Sequence, residues 1–240
     1  MHNDPLIKVE HARNTGQLPK MVYELIVNRF HIVKEGITRI EKASELKYPY
    51  YYIEPNLMIS TSTIEFTQVG IFFARTIPVL NECNQLNIVV QLTAPLIAYG
   101  LLGTVHAILA HEFMHYVNLI SRIMKMNMIS DEIAGTLFEG TYKDSDHLLE
   151  SHMVFKNDPT LIDHISKKFS GGFKDLRLEE KVIKQWMGKH LPVVTVPIDS
   201  NVIKIPIEVL ANLEFDHIIK EKIIEFENNK TTKKRSSDYV

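Results

Sequence analysis

His111 and His115 stand four residues apart in the string His111-Glu112-Phe113-Met114-His115. On a helix, residues four apart lie one turn above each other on one face, so both imidazoles can meet a single cation. Zinc suits such a pair because it accepts nitrogen ligands in a tetrahedral site. Glu112, next to His111, leans to the same side. There it can take a proton from a water that the cation has polarised and pass it to a leaving amine. The cation would bring that water's pKa to about 7. The pattern therefore predicts a zinc site with His111 and His115 as ligands and Glu112 as general base. The rival reading is two core histidines hydrogen-bonded by a carboxylate.

The segment around the motif is strongly apolar, with Val105, Ile108, Leu109, Val117, Leu119 and Ile120 at helical spacing. Histidines buried in such a helix need polar partners or a metal. The helix is predicted over about 103–126. His106 lies five residues before His111, on a different face, and reads as a core or supporting histidine. Residues 86–92 (LNIVVQL) read as a strand just upstream, and 96–100 as a further short extended piece. After the long helix, Ser130 can cap a second helix running to about Tyr142, with Asp131 and Glu132 suited to its positive end.

Elsewhere, 18–46 reads as mainly helical with Gly36 as its expected break. Residues 48–66, rich in aromatics, Ile and Thr, read as extended. Residues 68–82 read as helical, with Val69, Phe72, Phe73, Ile77 and Leu80 on one side. Residues 143–190 read as helices and loops with a turn at Gly171-Gly172. Pro192, Pro197 and Pro206 punctuate a Val/Ile-rich stretch that cannot be one central strand. A charged helix is predicted over about 207–228, followed by a disordered polar tail, 229–240.

The chain has 240 residues, 45% hydrophobic and 23% charged, enough for a packed core. We expect a single domain over 1–228, with a subdivision near 143 as the alternative. The 27 basic and 29 acidic residues leave no surplus for binding nucleic acid. Cys83 is the single cysteine, which excludes an internal disulfide and a cysteine-based zinc cluster and fits a reducing, cytoplasmic setting. The polar N-terminus does not read as a secretory signal. Residues 93–110 carry no Asp, Glu, Lys or Arg and are long enough to raise a membrane span. Pro95, Gly100, Gly103 and His106 within that run favour a strand followed by a buried helix.

The His111–His115 string resembles the zincin metallopeptidases, which carry H-E-x-x-H on their active-site helix. The resemblance covers that helix and its flanks, about a quarter of the chain. It implies an α+β zincin-like fold, mainly helical, with a small mixed sheet beside the active-site helix. It also implies zinc-dependent hydrolysis of a peptide or protein substrate. The metzincin extension is absent, since Asn118 and Ser121 occupy the places of its glycine and third histidine. The remaining branch, the gluzincins, takes a glutamate from a downstream helix as third ligand.

Glu132, Glu139 and Glu150 qualify by type, and His147, His152 and Asp146 are further candidates. If the two helices form an antiparallel hairpin, the level of His115 is matched near Tyr142. Glu139 is within a turn of that level, whereas Glu132 sits about 10 Å further along the axis. Glu139 is therefore the expected third ligand. The local run Asp131-Glu132-Ile133-Ala134-Gly135 resembles the Asn-Glu-x-x-Ser-Asp pattern of thermolysin-like enzymes, with Gly135 and Thr136 replacing the Ser-Asp pair. Tyr142, His147 and His152 are the candidates for a donor to a developing oxyanion. Peptide deformylases also use H-E-x-x-H with a cysteine ligand, but Asn81-Glu82-Cys83-Asn84 does not match their Glu-Gly-Cys-Leu-Ser signature. Nor does the chain contain the Leu-Asp-Gly segment of intramembrane zinc peptidases. The alternative from another class is a zincin-like metal-binding regulatory or scaffold protein without proteolytic activity.

Overall fold

The long apolar stretch folds as one 25-residue helix, Leu102–Met126, against which two other helices and a strand pack. The structure is a computed structural model, and it describes residues 4–61, 69–80, 86–126, 149–196 and 215–237. In chain order the helices before the sheets are α1 (Ile7–Asn14), α2 (Lys20–Arg29) and α3 (His31–Ser44). The strands β1 (Tyr50–Glu54), β2 (Leu57–Thr61), β3 (Val69–Phe72), β4 (Ala74–Leu80) and β5 (Leu86–Thr93) follow. Then come α4 (Ala94–Tyr99), α5 (Leu102–Met126), α6 (Ser151–Val154), α7 (Pro159–Phe169) and α8 (Leu176–Gln185). The short strand β6 (Val193–Thr195) and the helix α9 (His217–Ser237) complete the described chain. The class is α+β: helices around two small mixed sheets.

The first sheet has the order β1-β5-β4, with β1 parallel and β4 antiparallel to β5. The second has the order β3-β2-β6. Phe73, which alone separates β3 from β4, is buried, and its carbonyl accepts from both the N–H and the hydroxyl of Thr93. The chain thereby passes from one sheet to the other at a fixed bend.

β4 corrects the helix expected over 68–82. Five apolar residues fit a helical spacing there, but burial alternates along Ala74, Thr76 and Pro78. That period of two is the pattern of a strand with one face covered. Residues 96–100, expected extended, lie largely in α4, which Pro95 starts in the first turn. The break in the first helical stretch falls at Phe30, not Gly36. Gly36 lies inside α3, where an added Cβ would stand 2.7 Å from both His106 and Leu109 of α5. Its role is to let the two helices approach.

The strand at 86–92 and the helix at 103–126 form as expected. So does the Gly171-Gly172 turn, where both residues take the positive φ that a side chain disfavours. β6, which follows Pro192 directly, is an edge strand. The last helix starts at His217 and runs to Ser237, through much of the stretch expected to be a disordered tail. Residues 93–110 are divided between β5, α4 and α5, and among the described residues no helix is long and apolar enough to cross a membrane.

α5 is buried nearly all round in its middle turns, as an apolar central helix must be. α3 packs on one side through Val33, Gly36 and Ile40, α7 on another, and β4 on a third. The single tryptophan, Trp186, is fully buried at the end of α8, where its indole N–H donates to the Pro192 carbonyl at 2.8 Å.

Candidate metal centre

His111 and His115 lie on successive turns of α5, and both rings keep some access to solvent. Their Nε2 atoms are 3.0 Å apart, with ring centroids at 4.5 Å and planes nearly perpendicular. Two nitrogens on a tetrahedral zinc at about 2.0–2.1 Å would be about 3.3 Å apart. At 3.0 Å the two nitrogens are within hydrogen-bonding distance of each other and a few tenths of an ångström short of that spacing, so their type and separation are compatible with a zinc ion.

The orientation of His111 has a visible cause. Phe169, the last residue of α7, lies flat against its ring, with centroids 3.8 Å apart and planes 7° from parallel. Phe173 packs on Phe169 and on Phe73, so the stack is tied to the bend between β3 and β4. α7 itself is anchored at its other end. Asp158 caps it by accepting from the Leu161 N–H, and Arg39 of α3 grips the same carboxylate through two nitrogens at 2.5 and 2.7 Å. The Arg39 bonds hold Asp158 below the usual carboxylate range.

Glu112 is only 5% exposed, and its carboxyl group is bonded from β4. Thr76 of β4 reaches it twice, its hydroxyl lying 2.8 Å from Glu112 Oε2 and 3.0 Å from the Glu112 carbonyl. Tyr48 lies on the same side of α5 and donates to the Leu109 carbonyl at 3.0 Å. Burial, and then the charge of Glu112, push the Tyr48 phenol well above its ordinary range, so it stays a neutral donor. Tyr116, beside His115, is pushed up to about 12 by burial. His111, Glu112 and His115 each make further interactions beyond these.

The expected third ligand, Glu139, lies outside the described residues, as do Glu132, Asp146, His147, Tyr142 and Cys83. Glu150 and His152 are described, and they pair with each other at 3.2 Å. Among the described residues no group of three or more His, Cys, Asp or Glu side chains is placed to hold a metal, so neither joins the pair.

Asn118 and Ser121, noted only for what they replace, have structural work. Asn118 bonds the Met114 carbonyl and both backbone groups of Leu149. Ser121 donates to Glu227 of α9 at 2.6 Å. His106 is the core histidine its position predicts, with Nε2 3.2 Å from the Ile32 carbonyl. Thr76, Tyr48 and Phe169 are the site residues that sequence reasoning missed. They lie 36, 61 and 58 positions from the residues they contact, Glu112, Leu109 and His111, with no local pattern to link them. No family model, curated protein or solved structure matches the chain.

Proposed function

We propose that the chain is a zinc-dependent peptidase in which His111 and His115 hold the metal and Glu112 is the general base. The observation that carries the reading is the convergence of the two Nε2 atoms, 3.0 Å apart, beside a buried carboxylate held from β4. Glu139 is our choice of third ligand, on the hairpin argument from sequence.

When bound, zinc would supply an acidified water and a polarising charge for a substrate carbonyl. Glu112, one residue from His111, would be the group to accept a proton there and return it to the departing amine. The Thr76 hydroxyl donates to Glu112 Oε2 and holds the carboxyl group in place. Phe169 fixes the plane of His111. A peptide substrate is supported by β4, the outer strand of its sheet, whose far edge has no strand neighbour among the described residues. An extended chain can add to such an edge through backbone hydrogen bonds.

A second reading, a metal-binding regulatory or scaffold module, draws on the cover over the site. Phe169 shields one face of His111, and Glu112 has little exposure. Metal content of purified wild-type, His115→Ala and Glu139→Ala protein, beside a casein-hydrolysis assay of wild type and Glu112→Gln, separates the cases. One zinc per chain with hydrolysis lost only on Glu112→Gln supports the peptidase. One zinc without hydrolysis supports the module. No zinc in wild type, even after reconstitution, overturns both.

A further inference from the structure

Glu112 is flanked in sequence by a metal-ligand candidate and carries a flexible carboxylate of its own. Zinc takes carboxylate oxygens at about 2.0–2.2 Å as readily as imidazole nitrogens. A general base must not become a ligand, because coordination to a cation lowers the basicity of a carboxylate and ties it away from the proton it should take. Something has to keep Glu112 back, and helix geometry alone does not, since adjacent helical residues point only about 100° apart.

We propose that Thr76 is the positioning residue that tethers Glu112 to β4 and keeps its carboxylate out of the ligand set of the metal held by His111 and His115. The inference rests on the metal reading above. Its own support is the Thr76 hydroxyl, 2.8 Å from Oε2 of the side chain and 3.0 Å from the carbonyl of the same residue. One hydroxyl thus lies within reach of both the side chain and the backbone carbonyl of Glu112. A hydroxyl carries a single proton, and the charged oxygen is the stronger acceptor.

The tether is stiff. Thr76 is β-branched, with a restricted χ1. It is 8% exposed, and it sits in the middle of a β4–β5 register running from Ala74↔Leu92 to Leu80↔Leu86. The nearby Tyr48 does not share the task, because its hydroxyl is committed to Leu109. A threonine that merely satisfied a buried carboxylate would leave the metal's surroundings unchanged when replaced. A tether would not.

The test uses the full chain loaded with Co2+, whose visible absorption reports the number and kind of its ligands, unlike zinc. Wild type, Thr76→Val, Thr76→Ala and Thr76→Ser are compared, with folding checked by circular dichroism. Each is also paired with Glu112→Gln. The expected result is a shifted and reshaped visible band in Thr76→Val and Thr76→Ala as the carboxylate joins the metal. Thr76→Ser restores the wild-type band. Adding Glu112→Gln to either apolar variant returns the band of the Glu112→Gln single variant. Wild-type bands in both apolar variants, if either is folded, overturn the tether and leave the metal site intact. Absence of any cobalt band in wild type overturns the metal site and the tether with it.

Discussion

Asn118 holds Leu149 by both of its backbone groups: the Leu149 N–H donates to Asn118 Oδ1 at 3.0 Å, and Asn118 Nδ2 reaches the Leu149 carbonyl at 3.5 Å. Asn118 is one turn beyond His115, so the clamp places Leu149 beside the turn of α5 that follows the His111–His115 pair. The clamp also takes in the Met114 carbonyl at 2.8 Å. Asn118 is 4% exposed, and truncating it strands buried polar groups. Asn118→Ala is expected to cost about 1–3 kcal/mol. At roughly 2–4 °C per kcal/mol for a chain of this size, thermal unfolding followed by Trp186 fluorescence resolves it. Asn118→Asp should cost at least as much, because a carboxylate cannot donate to the two carbonyls. Unchanged melting in both would refute the clamp.

Gly36 gives a prediction whose sign is not set by helix propensity. Alanine in a helix interior is favoured over glycine by about 1 kcal/mol. Yet the new Cβ would meet His106 Cδ2 and Leu109 Cδ1, both at 2.7 Å. Overpacking of this kind costs about 1–3 kcal/mol. Gly36→Ala should therefore lower stability in urea titrations. A stabilised variant would mean that α3 and α5 separate freely.

His106 predicts a pH dependence. Burial, ahead of smaller effects, lowers its pKa from the ordinary value. The groups facing it are the Ile32 carbonyl, Glu35 and Arg39 of α3, and His164 of α7. The unfolded chain, titrating near ~6.5, then takes the proton first as pH falls. Stability is full above that value and declines as pH drops through it toward the lower folded value. In metal-free protein, His106→Gln, which can still donate to Ile32, should flatten the melting-temperature profile between about pH 7.5 and 5. Parallel profiles for the two proteins would count against it.

Metal binding should appear as stability. Binding only to the folded state adds about 2.7 kcal/mol at a hundredfold excess over Kd. Zinc should raise the melting temperature of wild-type protein and a chelator reverse the rise. His111→Ala and His115→Ala should respond to neither. Glu112→Gln should keep the full response, since its carboxylate is held by Thr76 rather than offered to the cation. A zinc response surviving in His115→Ala would move the site elsewhere.

The pairing of His111 and His115 on one helix was more legible in the sequence than the residues that pack around it. The two histidines declare themselves because a helix converts a spacing of four into a shared face, and the surrounding apolar run forces that helix. β4 was misread because Val69, Phe72, Phe73, Ile77 and Leu80 happen to satisfy helical spacing. The alternation that identifies the strand includes Thr76 and Pro78, which hydrophobic counting ignores. That error hid the Thr76–Glu112 bond, since only the strand brings residues 36 apart together. Gly36 was read as a local break, although the reason for it lies in α5. Long-range contacts of this kind leave no periodic trace in the chain.

The stacking of Phe169 on His111 bears on how a first coordination bond would form. A histidine free to turn over exchanges its two ring nitrogens and offers either to an arriving ion. A ring pressed flat against a phenyl at 3.8 Å must push that neighbour aside before it can turn. The orientational entropy of the first ligand is then lost during folding and not during capture. The carboxylate clasp between Arg39 and Asp158, at the far end of the same helix, helps to keep the phenyl in place. Selection of one imidazole nitrogen is thus shared with an ion pair whose aspartate lies eleven residues before the phenyl and whose arginine lies seventy-two before the histidine.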